Sequence, residues 1–219
     1  MLYSNITYQA EAERIVLEAA SKPPDSSIHP QIKTCALRTQ AVIGKHDKNL
    51  VPLFAKLPRG INIGPGTNLY DFTGADNIAL AHVLAVENLL GPSITNGKAI
   101  FVTDGQPRPM RQVIEMVWAE LDKANGDSVA QNFTKHRYPY WTIPVWLIYG
   151  VLYFVIPFLR LVGMKSPISL NEIGDGVSQR YFDNTRAKEI LGYVPVVPLE
   201  QSIRDACNSY IKGTSVGHF

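Results

Sequence analysis

The side chains of this 219-residue chain that could do chemistry are few and scattered. Cys35 and Cys207 stand far apart, with no histidine or second cysteine at the short spacing a zinc site needs. Each lies in an apolar pattern, which reads as a buried, unreactive thiol. His29, His46, His82, His136 and His218 are dispersed, and no two share a helix face, so neither a metal centre nor a nucleophile with its base is spelled out. Gly64-Pro65-Gly66 lacks the third glycine of a pyrophosphate-holding turn and reads as a loop turn. The carboxylates of Asp71 and Asp76 remain. Beside an apolar cleft, either could serve as the acid or base of a cofactor-free isomerase acting on a terpenoid.

The elements that must position these groups alternate between helix and strand. Ala12, Ile15, Val16, Ala19 and Ala20 recur at the spacing of a helix over residues 9–20 with one buried face, stopped by Lys22-Pro23-Pro24. Thr34 to Thr39 reads as a buried strand, and Ile61-Asn62-Ile63 and Leu69-Tyr70-Asp71-Phe72 as shorter extended pieces. Thr73-Gly74-Ala75-Asp76 has the form of a capping box, which predicts a helix running to Leu90 and stopped by Gly91-Pro92. Ala99 to Val102 is a further strand. Met110, Val113, Ile114, Val117, Trp118 and Leu121 form the stripe of a helix entered through Pro109. Arg180 to Asp183 reads as a short strand, with Tyr181 and Phe182 in the core and Arg180 and Asp183 in structural roles. Asn184 caps a helix ending at Gly192, and Leu199, Ile203, Ala206, Cys207 and Tyr210 mark the buried face of a last helix. A helix leading into an inner strand indicates α/β architecture.

Composition narrows the function classes. Apolar residues make up 46% and charged residues 18%, enough to build a core and too apolar for bulk disorder. A net charge of +2 is too small for a phosphate-backbone footprint, so nucleic acid is not an expected partner. The first residues show no basic, then long apolar, secretory pattern, so the chain is expected to be intracellular. From Tyr138 to Leu159 no residue is charged, while Lys135, His136 and Arg137 flank one side and Arg160 the other. That length can cross a bilayer, and its Trp and Tyr residues suit an interface. Pro144 and Pro157 leave a straight helix of only about 12 residues between them, which also suits an element lying in one leaflet or a greasy lid.

Several stretches form a set: Ala10-Glu11-Ala12-Glu13-Arg14; Leu37-Arg38 leading to Gly44; Tyr70-Asp71-Phe72-Thr73 with Asp76-Asn77; and Arg180-Tyr181-Phe182-Asp183, continuing through Arg186-Ala187-Lys188 to Leu191-Gly192-Tyr193. In order and spacing the set resembles the C-terminal half of the extended short-chain dehydrogenases, in particular the 3-beta-hydroxysteroid dehydrogenase and sterol-4-alpha-carboxylate 3-dehydrogenase family. The resemblance implies oxidation of a 3-hydroxyl on a sterol or polycyclic terpenoid with NAD or NADP. It implies a cofactor-side position at Arg38, although Thr39 stands where the family has proline, and substrate-side positions at Asp71, Thr73 and Asp76. The family's catalytic Tyr and Lys align with Asn5 and Gln9, just before the helix beginning at Ala10. Neither carboxamide supplies a phenolate or the ammonium that lowers a phenol's pKa. Tyr3 and Tyr8 lie close by without a lysine four residues on. The glycine-rich turn that opens such enzymes is not in this sequence.

The expected fold is therefore α/β: an incomplete Rossmann-like parallel sheet lacking its N-terminal half, with a small, mostly helical substrate domain and a hydrophobic arm. Residues 1–137 are expected to hold the C-terminal part of the Rossmann-like fold, 138–163 a membrane-associated or lid segment, and 164–219 a C-terminal substrate-domain segment. The expected partners are a sterol-like or terpenoid small molecule and, through 138–159, a membrane, which the resemblance makes that of the endoplasmic reticulum. A non-catalytic lipid-binding remnant and the cofactor-free isomerase are the alternatives. No metal is expected.

Overall fold

The computed structural model describes residues 2–21, 32–124, 141–161 and 170–216. They form two compact units, the first made of Met1–Val42, Phe72–Gln106 and Phe182–Leu199, the second of Ile43–Asp71, Pro107–Tyr181 and Glu200–Phe219.

The first unit is built on a parallel pair of strands, β1 (Cys35–Thr39) and β6 (Lys98–Val102), in register from Cys35 opposite Lys98 to Thr39 opposite Val102. Side chains alternate across such a pair, so its two faces differ. On one face Ile100 and Val102 pack with Ala81 and Ala85 of α3 (Ala75–Leu90), Ala187 and Leu191 of α7 (Thr185–Leu191), and Tyr193; Leu37 and Cys35 press on the same cluster. The small alanines let α3 lie close to the strands. The other face carries Arg38 and Phe101, which are register partners, and here α1 (Leu2–Ser21) is tied down, the Thr34 hydroxyl donating to the Val16 carbonyl at 2.7 Å. Helices thus cover both faces of a parallel sheet, as an α/β layer requires.

Several expectations are corrected in this unit. Helix α1 begins at Leu2 rather than near residue 9, and its apolar stripe is not buried: Ile15 is 56% and Val16 42% exposed, while Ala20 alone of the five stripe residues is fully covered. Helix α3 ends at Leu90 as its Gly91 stop predicts, but no side chain caps its start. Thr73 lies in β5 (Thr73–Gly74), and its hydroxyl donates to the Gln40 carbonyl at 2.9 Å instead of to the first turn of α3. Asn184 sits at the start of α7 without a capping hydrogen bond; the Asp183 carboxylate accepts the Thr185 N–H at 2.9 Å in its place. Gly192 closes α7 with φ of 64°, the left-handed conformation that glycine adopts without strain. Phe182 stacks on Phe101 rather than continuing a strand. The chain leaves this unit through β2 (Val42–Ile43).

The second unit is largely helical. Helix α2 (Leu50–Lys56), which has too few periodic positions to announce itself, is nucleated by the Asp47 carboxylate, acceptor for the N–H groups of Asn49, Leu50 and Val51. Strands β3 (Ile61–Ile63) and β8 (Trp141–Ile143) pair in parallel, β4 (Leu69–Tyr70) pairs antiparallel with β7 (Arg108–Pro109), and Tyr70 also bridges Arg180. That bridge is all the extended pairing at 180–183, where a strand was expected, and Tyr181 is exposed rather than in the core. Helix α4 (Met110–Ala124) buries Val113, Ile114, Val117, Trp118 and Leu121, as its stripe predicts. Arg111 is buried beside them, its guanidinium 4.7 Å from the centre of the Trp118 ring, bonded to Glu115 and to the carbonyls of Arg59 and Ile61. Helix α5 (Val145–Leu161) runs on through Pro157, where a stop was expected; α6 (Leu170–Val177) follows. The final helix, α8 (Leu199–Val216), buries Ile203, Ala206 and Cys207.

Candidate active site

In an open parallel sheet the chemistry gathers beyond the carboxyl ends of the strands. Helix α1 runs antiparallel to β1: Val16 meets Thr34 before the strand, and Glu13 meets Arg38 near its carboxyl end. At about 1.5 Å of rise per residue, Gln9 and Asn5 fall one and two turns further along. They therefore lie past the strand end, with Asn5, Gln9 and Glu13 spaced by four along one side of α1. The Tyr and Lys positions of the resemblance belong inside this helix, not before it. Gln9 is exposed there.

Arg38 does not reach out freely. Its Nε and Nη2 donate to the two Glu13 carboxylate oxygens at 2.8 and 2.6 Å, and its guanidinium lies 5.3 Å from the centre of the Phe101 ring. Phe101 in turn stacks on Phe182 at 4.4 Å. The bidentate pair holds the Glu13 carboxyl below its ordinary range and raises Arg38. An anionic ligand at Arg38 would have to displace Glu13, a partner that only the helix spacing Gln9-to-Glu13 could have signalled.

Thr73 acts just downstream of Arg38. Its hydroxyl and N–H hold the carbonyls of Gln40 and Ala41, and Ala41 has φ of 38°, a conformation that side-chain-bearing residues rarely adopt. Thr73 thus shapes the loop leaving β1 from a fully buried position. Asp76 is exposed in the first turn of α3. Asp71 is buried in the other unit, where its N–H donates to the Arg180 carbonyl at 2.8 Å.

The acid that sequence reasoning missed is Asp104, just past the carboxyl end of β6. Its carboxylate accepts the Gly74 N–H at 3.1 and 3.2 Å and the Asn77 amide at 2.8 Å. Asn77 reaches on to the 196–197 connector, donating to the Val197 carbonyl and accepting the N–H groups of Val196 and Val197. Tyr193 is buried nearby with a raised pKa, caused by desolvation and then by the Asp104 charge. The signal that could have found this cluster is the Thr103-Asp104-Gly105 run directly after the strand ending at Val102.

Among the described residues, the positions expected to meet a nicotinamide dinucleotide do not fit it by themselves. The Gly64 N–H donates to the Ile143 carbonyl at 2.9 Å, and a side chain at Gly66 would meet Asn62, so this turn is a packed corner rather than an anion nest. Gln9 offers no ammonium to a ribose, and Arg38 is held by Glu13. Among the described residues no group of three or more His, Cys, Asp or Glu could hold a metal.

Comparison with known proteins agrees on the ancestry. A family model described as 3-beta hydroxysteroid dehydrogenase/isomerase family matches residues 3–132. The sterol-4-alpha-carboxylate 3-dehydrogenase erg26, decarboxylating, of Schizosaccharomyces pombe is 32% identical over 202 residues, covering 90% of this chain and 53% of the relative. The Mus musculus sterol-4-alpha-carboxylate 3-dehydrogenase is 26% identical over 209 residues, covering 90% and 52%. A 2-alkyl-3-oxoalkanoate reductase of Stenotrophomonas maltophilia is 31% identical over 176 residues, covering 79% and 50%. The chain thus spans about half the length of these relatives. In fold it is similar to a UDP-glucose-4-epimerase from Stenotrophomonas maltophila, solved with bound NAD, with a TM-score of 0.56 at 17% identity over 97% of this chain and 54% of that one. From the matched residues 3–132, the chain belongs to the 3-beta hydroxysteroid dehydrogenase/isomerase family.

Proposed function

We propose that this chain is the substrate-side and membrane-facing portion of an NAD(P)-dependent 3-beta-hydroxysteroid dehydrogenase-like protein, whose lipid is a sterol or polycyclic terpenoid bearing a 3-hydroxyl. The feature that supports the reading is α1: the resemblance puts the family's proton-transfer positions at Asn5 and Gln9 of this helix, and neither residue is a phenol or an ammonium. A carboxamide can donate and accept hydrogen bonds to a lipid hydroxyl, but it cannot take the proton that must leave as a carbinol is oxidised. These 219 residues therefore bind the lipid alcohol without oxidising it. In titrations of the purified chain, a fluorescent sterol should bind while NADH and NADPH fluorescence stays unchanged. Stoichiometric uptake of either nucleotide would overturn the reading.

The apolar surface of β8 and α5 supports the membrane part of the proposal. Trp141 is 85%, Trp146 73% and Phe154 74% exposed, an aromatic surface that a leaflet interface accommodates well. Among the described residues no helix is long and apolar enough to cross a membrane; we place α5 in one leaflet, that of the endoplasmic reticulum by the family resemblance. The double variant W146E/F154E should lose at least tenfold in binding to phosphatidylcholine vesicles. Unchanged vesicle binding would remove this part.

A further inference from the structure

We infer that the leaflet met by this chain is an anionic one: the apolar surface of β3, β8 and α5 enters the acyl boundary while the cations that flank it in sequence hold acidic phospholipid headgroups. This rests on the membrane part of the reading above and adds the headgroup chemistry that the surface selects.

The apolar surface extends beyond the aromatic residues of α5. The register of the parallel pair sets Ile61 beside Trp141 and Ile63 beside Ile143 on one face, with Asn62 and Thr142 on the other. Ile61, Ile63 and Trp141 are exposed. On α5 the half-buried residues are Val145, Ile148, Leu152 and Ile156, which recur on one side of the helix, while Trp146, Val151, Tyr153 and Phe154 stand exposed around the remainder. A helix lying in an interface ordinarily keeps a charged face in water. Helix α5 has no such face, because no residue from Val145 to Leu159 is charged.

The charge stands at the two ends of the surface instead. From Ser128 to Asn171 the sequence holds Lys135, Arg137, Arg160 and Lys165 and no Asp or Glu, although the whole chain has 19 acids against 21 Lys and Arg. In the rest of the chain, therefore, acidic residues outnumber basic ones. Arg160 belongs to the last turn of α5. Chain length alone keeps Arg137 within about 14 Å of Trp141 and Lys165 within about 14 Å of Leu161, whatever path the backbone takes. Cations bound to stay beside an uncharged, exposed apolar surface complement a leaflet whose headgroups are negative. Each one near such a surface strengthens partitioning by about fivefold.

The test is flotation of the 219-residue chain with phosphatidylcholine vesicles and with vesicles that also contain about 30% phosphatidylserine. Binding to the mixed vesicles should be tighter by about tenfold or more in 0.1 M salt and within about twofold of phosphatidylcholine in 1 M salt, where the Debye length falls from about 10 to 3 Å. K135Q/R137Q/R160Q/K165Q should abolish the preference and keep the phosphatidylcholine binding, whereas K45Q/K48Q/K98Q/K212Q, at exposed positions elsewhere, should keep both. The salt series on the unaltered chain makes the same test without any substitution. Equal binding to the two vesicles, a preference that survives 1 M salt, or equal loss with the two quadruple variants would overturn the inference and leave the membrane reading standing. Binding to neither vesicle, with a homodimer dissolved by W146E/F154E, would sink both, since a second copy would then cover the surface.

Discussion

Replacing Asn77 with alanine should lower the stability of the first unit by about 3 to 4.5 kcal/mol. The amide is fully buried and uses its whole capacity: two donated bonds, to Asp104 and Val197, and two accepted ones, from Val196 and Val197, all between 2.8 and 3.0 Å. The bond to the buried Asp104 carboxylate is worth about 1.5–3 kcal/mol, since its loss leaves a charge short of a donor. The three connector bonds add roughly 0.5 kcal/mol each, because Val196 is exposed and water replaces part of what is lost. For a chain of this size the sum corresponds to a fall in Tm on the order of 10 °C, read by circular dichroism. Asn77→Asp sharpens the test. It keeps the shape but sets a second carboxylate against Asp104, so at pH 7 it should be less stable than Asn77→Ala. One of two facing carboxylates has a raised pKa, so the penalty is complete above that pKa and is relieved as pH falls through it, when the new proton bridges the pair. A Tm for N77A within 2 °C of the parent, or an N77D variant that matches N77A at every pH, would refute this assignment of Asn77.

Arg111→Met should cost about 3 kcal/mol, because it strands the Glu115 carboxylate and two carbonyls around Trp118; a urea midpoint unchanged from the parent would contradict that. Burial pushes the Cys207 thiol up to about 12, with Glu120 and Asp47 adding to the shift, and burial also raises Cys35, which is only partly covered. In native protein at pH 8, a thiol reagent should therefore modify Cys35 slowly and Cys207 only on unfolding. Glu13, lowered by Arg38, contributes stability above its unfolded value of 4.5 that is lost as pH falls through the lower folded value. The Tm difference between parent and Glu13→Gln should accordingly be constant above pH 5 and shrink below pH 4; a difference independent of pH would break the pairing argument.

Local pattern determined much of this molecule. The run from Thr34 to Thr39, the helix stopped at Gly91 and the stripe from Val113 to Leu121 each carry their own periodicity and end signals, so they were readable without neighbours. The motif set around Leu37-Arg38, Asp76-Asn77 and Phe182-Asp183 likewise pointed to the family that residues 3–132 match. Tertiary structure decided whatever depends on two distant surfaces meeting. The α1 stripe has the spacing of a buried face, yet burial needs a partner surface, and none of the described residues supplies one for Ile15 and Val16. Thr73 has the form of a cap, but the Gln40 carbonyl, 33 residues away, takes its hydroxyl. Nothing in local spacing links Asp104 to Asn77; folding across 27 residues made them one buried network. Spacing along the chain specifies which faces an element has, whereas only the packed chain specifies what each face meets, because hydrogen bonds and burial belong to pairs of groups brought together in space.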